Sequence, residues 1–288
     1  MTRIKPLNRL LMILAIMPFL TGGSCKKKTP EPVASFTYSI ENGTRTATFR
    51  STSKNAPTTT TWDFGDGNVA SGDSATHTFA KDSTYKITLT VANEGGTHTT
   101  SQIINVSQTL KIAKITTSFG ELVIWLYNET PLHKANFLKL AEEGFYNGTT
   151  FHRCIKDFVI QGGDPNSKDT DPNNDGQGGP GYTVPAEIRS TLKHSYGAVA
   201  AARMPDQVNP AKASSGSQFY IVVNTAGTHF LDNNYTVFGK VISDMAPAQE
   251  IVQQSKDSRD RPITDIKMEV VVLDKTLAEL KSEYNFVP

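Results

Sequence analysis

Cysteine is almost absent from this chain: Cys25 and Cys154 are the only two among 288 residues. That excludes a disulfide framework and a thiolate zinc cluster. Excess charge of either sign is also missing, with 29 basic against 28 acidic side chains, so no bulk attraction to nucleic acid is expected. Nor does any apolar run reach the roughly 20 residues that a membrane-spanning helix needs. The run from Leu10 to Leu20 has 11 residues and contains Pro18. With 38% hydrophobic and 20% charged residues, collagen-like, coiled-coil and wholly disordered chains are excluded. What remains is a globular protein of one large domain or two modest ones with a tail.

Residues 1–24 carry Arg3, Lys5 and Arg9 without an acid, then the apolar run, then Gly22, Gly23 and Ser24. This is the layout of a secretory signal peptide. The segment ending in Cys25 resembles the lipobox of bacterial lipoproteins, with Gly22 where leucine is usual. The resemblance implies that Cys25 is acylated and becomes the new N-terminus; the alternative is an ordinary signal peptide followed by a cysteine. Cleavage would turn the net charge from +1 to −2. Residues 25–32 would then be a lipid-anchored tether, with Lys26, Lys27 and Lys28 drawn to anionic headgroups. The expected location is the bacterial cell envelope, exported and lipid-anchored, facing the periplasm or on the outer membrane.

Residues 33–108 are rich in Thr, Ser and Gly. Apolar and polar positions alternate in Ala34–Ile40, Thr46–Phe49 and Tyr85–Val91, with turn clusters at Asn42-Gly43 and Gly95-Gly96. Such runs indicate a β-sandwich of short strands. Trp62 and Phe64 fall on one strand face, and Asp66-Gly67 supplies a tight turn. The stretch Trp62-Asp63-Phe64-Gly65-Asp66-Gly67, with His77-Thr78-Phe79 and Tyr85 after it, resembles the PKD domain. The resemblance implies an Ig-like sandwich that acts as a spacer or binds protein or glycan. Its aspartates are expected to cap turns, and His77 and His98 to be ordinary strand or loop residues.

Residues 109–275 carry the chemistry. Leu110–Tyr127 reads as a hairpin around Ser118-Phe119-Gly120. A helix then opens at Pro131, with Thr130 as its cap, and runs toward Gly144. Short strands and Gly-rich loops follow, with one further helix near Ala246–Gln254, so a closed or strongly curved antiparallel sheet capped by helices is expected. Five blocks stand in order: Phe151-His152-Arg153 with Phe158-Val159-Ile160-Gln161-Gly162-Gly163-Asp164; Gly197 to Arg203; Gly216-Ser217-Gln218-Phe219-Tyr220-Ile221; Leu231-Asp232; and Val237 to Val241. Together they are similar to the cyclophilins, peptidyl-prolyl cis-trans isomerases built on an eight-stranded β-barrel. The whole chain is therefore expected to be mainly β, a PKD-like sandwich followed by a cyclophilin-like barrel, with residues 276–288 as a C-terminal tail whose 276–284 part forms a short helix.

The resemblance implies site roles. Arg153 would hydrogen-bond the prolyl group and weaken amide resonance. Phe158, Val159, Tyr220 and Leu231 would form the proline pocket. Gln161 would orient the arginine and touch substrate, and Ala202, Arg203 and Gln218 would line the groove for the peptide backbone. Phe230 and Tyr235 stand at the groove edge where the animal enzymes have tryptophan and histidine. Val159 replaces a common methionine, Tyr220 a phenylalanine and Arg203 an asparagine. Phe230 lacks an indole N–H, so tight cyclosporin binding is not expected. The partners implied are proline-containing polypeptides. Rotating an X-Pro amide needs no nucleophile, metal or cofactor, and moves no proton, so His152 is expected to be structural.

Residues 165–177 are polar and acid-rich. Asp171-x-Asn173-x-Asp175-Gly176 opens like a calcium loop, but Tyr182 stands at the twelfth position, where a bidentate acid is needed. A solvated, flexible loop is expected instead. Cys154 is expected to be a buried, inert thiol. Against the isomerase stands a second class of reading, a non-catalytic cyclophilin-like groove that holds peptides. A third gives the main, adhesive role to the β-module.

Overall fold

The computed structural model describes residues 27–288; Cys25 and the expected leader lie outside them. These residues fall into two compact units, 27–38 with 48–76 and 85–104, and 39–47 with 77–84 and 105–288.

Seven strands come first: β1 (Phe36–Ile40), β2 (Thr46–Ser51), β3 (Thr59–Asp63), β4 (Val69–Ser71), β5 (Ser74–Thr78), β6 (Ser83–Asn93) and β7 (Gly96–Val106). They form a three-stranded sheet, β1-β2-β5, and a four-stranded sheet, β4-β3-β6-β7. Alternation buries Trp62 and Phe64 on one side of β3. Phe36 meets Trp62 edge-on at 5.3 Å, and Phe49 lies 5.7 Å from it. The indole N–H of Trp62 donates to Gly72 O at 2.8 Å, so this buried donor is paired. Asp63 accepts from Gly65 N–H and Asp66 from Asn68 N–H, so both aspartates cap turns as expected. Gly65 has φ +74°, and a Cβ there would lie 2.6 Å from Lys86 O, so the turn requires glycine. His98 Nδ1 accepts from Ala34 N–H.

The C-terminal part contains β8 (Thr109–Thr117), β9 (Gly120–Leu126), α1 (Pro131–Glu142), β10 (Arg153–Cys154), β11 (Val159–Gly162), β12 (Thr183–Val184), β13 (Ala198–Ala201), β14 (Ser214–Ser215), β15 (Phe219–Val222), β16 (Val237–Val241), α2 (Ala246–Val252), β17 (Glu269–Thr276) and α3 (Leu277–Tyr284). Eight strands make one sheet in the order β10-β11-β15-β13-β16-β9-β8-β17. Its two ends meet: Phe151 N–H donates to Ile266 O, Gly148 N–H to Met268 O, and Met268 N–H to Thr149 O. These bonds close the sheet into a barrel.

Side-chain alternation gives the wall two faces. One face packs Ile160, Val199, Phe219 and Ile221 against Phe137 and Tyr146, forming the main core. The other face carries Val159, Ala198, Ala200, Tyr220 and Val222. Elsewhere, α3 and Phe286 cover the β8–β9 hairpin, burying Leu280 against Ile112, Val123 and Trp125. Thr276 and Glu279 form a capping box at the start of α3. No helix among the described residues is long and apolar enough to cross a membrane.

The cap of α1 differs from expectation. Thr130 sits at the N-cap position, but its side chain makes no capping hydrogen bond. The Glu187 carboxylate, from far along the chain, accepts Leu132 N–H at 3.1 Å and His133 N–H at 2.9 Å. It also contacts His133 Nδ1 at 2.7 Å, while His133 Nε2 meets Ser214 Oγ at 2.9 Å. Burial works against the charged carboxylate, yet these donors keep its pKa below the usual range. A full negative charge at the positive helix end outcompetes a hydroxyl.

The 165–177 loop also departs from expectation. It is exposed at Lys168–Asp171 but tied down on both sides. Asp164 accepts from Asn166 and Gly178 N–H, Asn166 donates to Asn174 O, and Gln218 Nε2 donates to Gly176 O and Gly178 O. Asp175 and Arg261 form an ion pair at 2.5 Å with both side chains mostly buried. Within the loop, Asp169 accepts from Asp171 N–H and Asp171, the first acid of the calcium-like stretch, from Asn173 N–H.

Candidate active site

The register places the site in one line across the barrel wall. Arg153 on β10 is paired with Gln161 on β11, Gln161 with Tyr220 on β15, and Tyr220 with Ala200 on β13. Because paired residues in a sheet share a face, all four project away from the main core. Above this row lies a cavity of about 170 Å³ lined by Arg153, Phe158, Val159, Gln161, Ala202, Arg203, Tyr220, Leu231 and Tyr235. A cavity of roughly 150 Å³ admits benzene, so a five-membered ring fits. The mouth is cationic and amidic; the floor is apolar.

Arg153 is half-buried and its guanidinium lies 5.9 Å from the Phe158 ring. Among the described residues nothing accepts a hydrogen bond from it, so its donor fork remains available. Phe158 follows a tight turn in which Asp157 has φ +56°, and its N–H donates to Ile155 O. Phe230 is 73% exposed and stacks on Phe158 at 5.6 Å and 18°. It extends the apolar rim without lining the cavity.

Three residues, Gln161, Gln218 and Arg203, behave differently from expectation. No hydrogen bond joins Gln161 to Arg153 among the described residues. Gln161 Nε2 instead donates to Gln218 Oε1 at 3.2 Å, so Gln218 stands behind the site and holds Gln161. Arg203 lines the cavity, but its guanidinium is engaged: Nε donates to Asn234 O, Nη1 to Met204 O, and Asp206 pairs with it at 2.5 Å. It lies 4.5 Å over Tyr235 and braces the groove wall, with its Nε and Nη1 donors already engaged.

Behind Tyr220 lies a group that motif reading missed. The Tyr220 hydroxyl is 2.9 Å from His194 Nε2, and His194 Nδ1 is 2.9 Å from Asp232 Oδ1. Burial would raise the Asp232 carboxyl, but hydrogen bonds from the His194 backbone and ring and from His229 hold it down to about 2. Burial lowers the His194 pKa and raises that of Tyr220. The Leu231-Asp232 block pointed to this place; the pairing with a histidine 38 positions earlier left no periodic signal.

Two neighbours of Arg153 do not line the cavity. The Cys154 thiol is buried as expected, and burial pushes its pKa up to about 12, which disfavours the reactive thiolate. His152 is buried and its ring pKa is lowered by burial, in keeping with a structural role.

Comparisons with known proteins agree with this geometry. The profile of the cyclophilin type peptidyl-prolyl cis-trans isomerase family matches residues 112–272, and that of the PKD domain matches residues 27–107. The peptidyl-prolyl cis-trans isomerase ppi1 of Schizosaccharomyces pombe is 38% identical over 159 residues, 54% of this chain and 94% of the relative. The peptidyl-prolyl cis-trans isomerase-like 1 of Homo sapiens is 36% identical over 156 residues, 53% of this chain and 86% of its own length. A crystal structure of a cyclophilin type isomerase from Cryptosporidium parvum aligns with a TM-score of 0.51 at 29% identity, over 58% of this chain and 99% of that one. The chain belongs to the cyclophilin type peptidyl-prolyl cis-trans isomerases: it is an enzyme that rotates X-Pro bonds in proline-containing peptides, and it carries a PKD domain on the N-terminal side of its barrel.

Proposed function

We propose that Arg153 is the catalytic donor of this isomerase and that the enzyme works on exported polypeptides at the bacterial cell envelope. The amide barrier of about 18–20 kcal/mol comes from C–N resonance. As the bond twists, the nitrogen lone pair localises, and a donor aimed at it stabilises the transition state more than the ground state. The observation that carries this reading is the contrast between arginines at one cavity. Arg203 is held through Nε and Nη1 by Asn234, Met204 and Asp206, whereas Arg153 stands at the mouth with no hydrogen-bond acceptor among the described residues. Val159, Phe158, Tyr220 and Leu231 take the prolyl ring, and Gln161, steadied by Gln218, meets the flanking backbone.

In a chromogenic X-Pro peptide assay, Arg153→Ala lowers kcat/KM by about 100- to 1000-fold, the size seen when one preorganised donor is removed. An undiminished rate would remove Arg153 from the mechanism. The envelope role rests on the basic segment, the apolar run and the Gly22-Gly23-Ser24-Cys25 sequence, with the PKD domain binding protein or glycan. Metabolic labelling with a radioactive fatty acid tests the anchor: the wild-type chain is labelled and Cys25→Ala is not. Equal labelling of both would sink it.

A further inference from the structure

We infer that His194 and Asp232 are positioning residues for the isomerisation, holding Tyr220 in the wall of the proline pocket through its hydroxyl. The inference rests on the isomerase assignment and adds two residues to its machinery. Tyr220 lies in an apolar setting among Val159, Val222 and Val237, where an unpaired hydroxyl would be costly. Asp232 is a carboxylate and accepts from His194 Nδ1–H at 2.9 Å. That leaves Nε2 as an acceptor, so the Tyr220 hydroxyl donates to it at 2.9 Å. The hydroxyl is thereby drawn away from the substrate, and the ring presents an apolar surface to the pocket.

The same carboxylate fixes a second wall. Asp232 Oδ1 also accepts His194 N–H at 2.8 Å, and Thr228 N–H donates to His194 O. The 3-10 turn His229–Leu231, which supplies Leu231 to the cavity, is thus tied to the segment that holds Tyr220. Other charged and polar groups converge on the pair: His229 Nδ1 at 3.1 Å and Lys193 Nζ at 3.7 Å from Asp232 Oδ2, with the Tyr235 ring edge-on to His194. Tyr235 also meets Tyr220 edge-on at 6.1 Å. One buried histidine therefore sets the place of an aromatic wall, while one carboxylate sets both the histidine and the leucine turn.

The test is a double-mutant cycle on the full chain, read as kcat/KM with a chromogenic X-Pro peptide. His194→Asn keeps an amide donor near Asp232 but is too short for Tyr220; His194→Gln is long enough to accept the hydroxyl. His194→Asn is expected to lower kcat/KM about fivefold, and His194→Gln to recover most of that loss. With Tyr220→Phe as the starting protein, adding His194→Asn is expected to cost less than about twofold, because no hydroxyl remains to be held. An equal cost in both backgrounds, or His194→Gln no better than His194→Asn, overturns the inference. A wild-type chain without activity would instead overturn the isomerase assignment. The cycle is then read on the Kd for the same peptide, where background-independent effects again reject the positioning role.

Discussion

Two faces of one barrel wall do different work, although they alternate residue by residue along the same strands. On β15, Phe219 and Ile221 enter the main core, while Tyr220 lines the cavity and Val222 lies on the same outer face. On β11, Ile160 points inward, and Val159 and Gln161 line the cavity. The inner face is filled by dispersion and ring contacts, such as Phe137 edge-on to Phe219 at 5.4 Å. The outer face adds committed polar chains, Gln161–Gln218 and Tyr220–His194–Asp232. One face packs the core and the other lines the cavity, and the pleat keeps them a single residue apart.

That division can be broken from either side. The largest effect falls on the inner face: Phe219→Ala removes a fully packed ring and is expected to destabilise by about 3–5 kcal/mol in chemical denaturation. The rate per folded molecule should fall far less than with Arg153→Ala. Next comes Glu187→Ala, on neither face, which leaves two helix N–H groups and the His133 ring without their acceptor. A loss of roughly 1–3 kcal/mol is expected from the unfolding midpoint.

A smaller effect belongs to the outer face and depends on pH. The folded pKa of Asp232 lies at about 2, below the value of about 3.9 for a free aspartate, so its contribution is present above pH 4 and is lost as pH falls toward 2. That contribution is roughly 1–2 kcal/mol. Stability measured from pH 5 to 2 should fall less steeply in Asp232→Asn than in the wild type. The smallest effect sharpens the comparison most: Arg153→Ala, which all but abolishes catalysis on the proposed mechanism, should shift stability by no more than about 0.5 kcal/mol. A large loss of stability there would mean that the two faces are not separable.

What could be read in the sequence was whatever is local or alternates. Trp62-Asp63-Phe64-Gly65-Asp66-Gly67 announced a strand and turn, and the five ordered blocks announced the barrel and its pocket. Eight residues named as pocket or groove lining meet Arg153 around one cavity. What could not be read depends on partners far apart in the chain. Thr130 has the composition of a cap, but Glu187 does the capping because folding brings a charge to the helix end. Arg203 has a substrate-binding residue's chemistry, and Asp206 with Asn234 takes that chemistry up. The polar loop looked flexible because composition reports solvation; the Asp175–Arg261 and Gln218 contacts that hold it are long-range.

The closure of the barrel by residues 148–151 and 266–268 has a consequence for an enzyme that acts on proline-containing peptides. Extended polypeptides add readily to any sheet that offers unpaired N–H and C=O groups. Here residues 148–151 pair with 266–268 where the two ends of the sheet meet, so that stretch of its margin is closed to a client. A substrate can be gripped at its proline and released, rather than being recruited as a ninth strand.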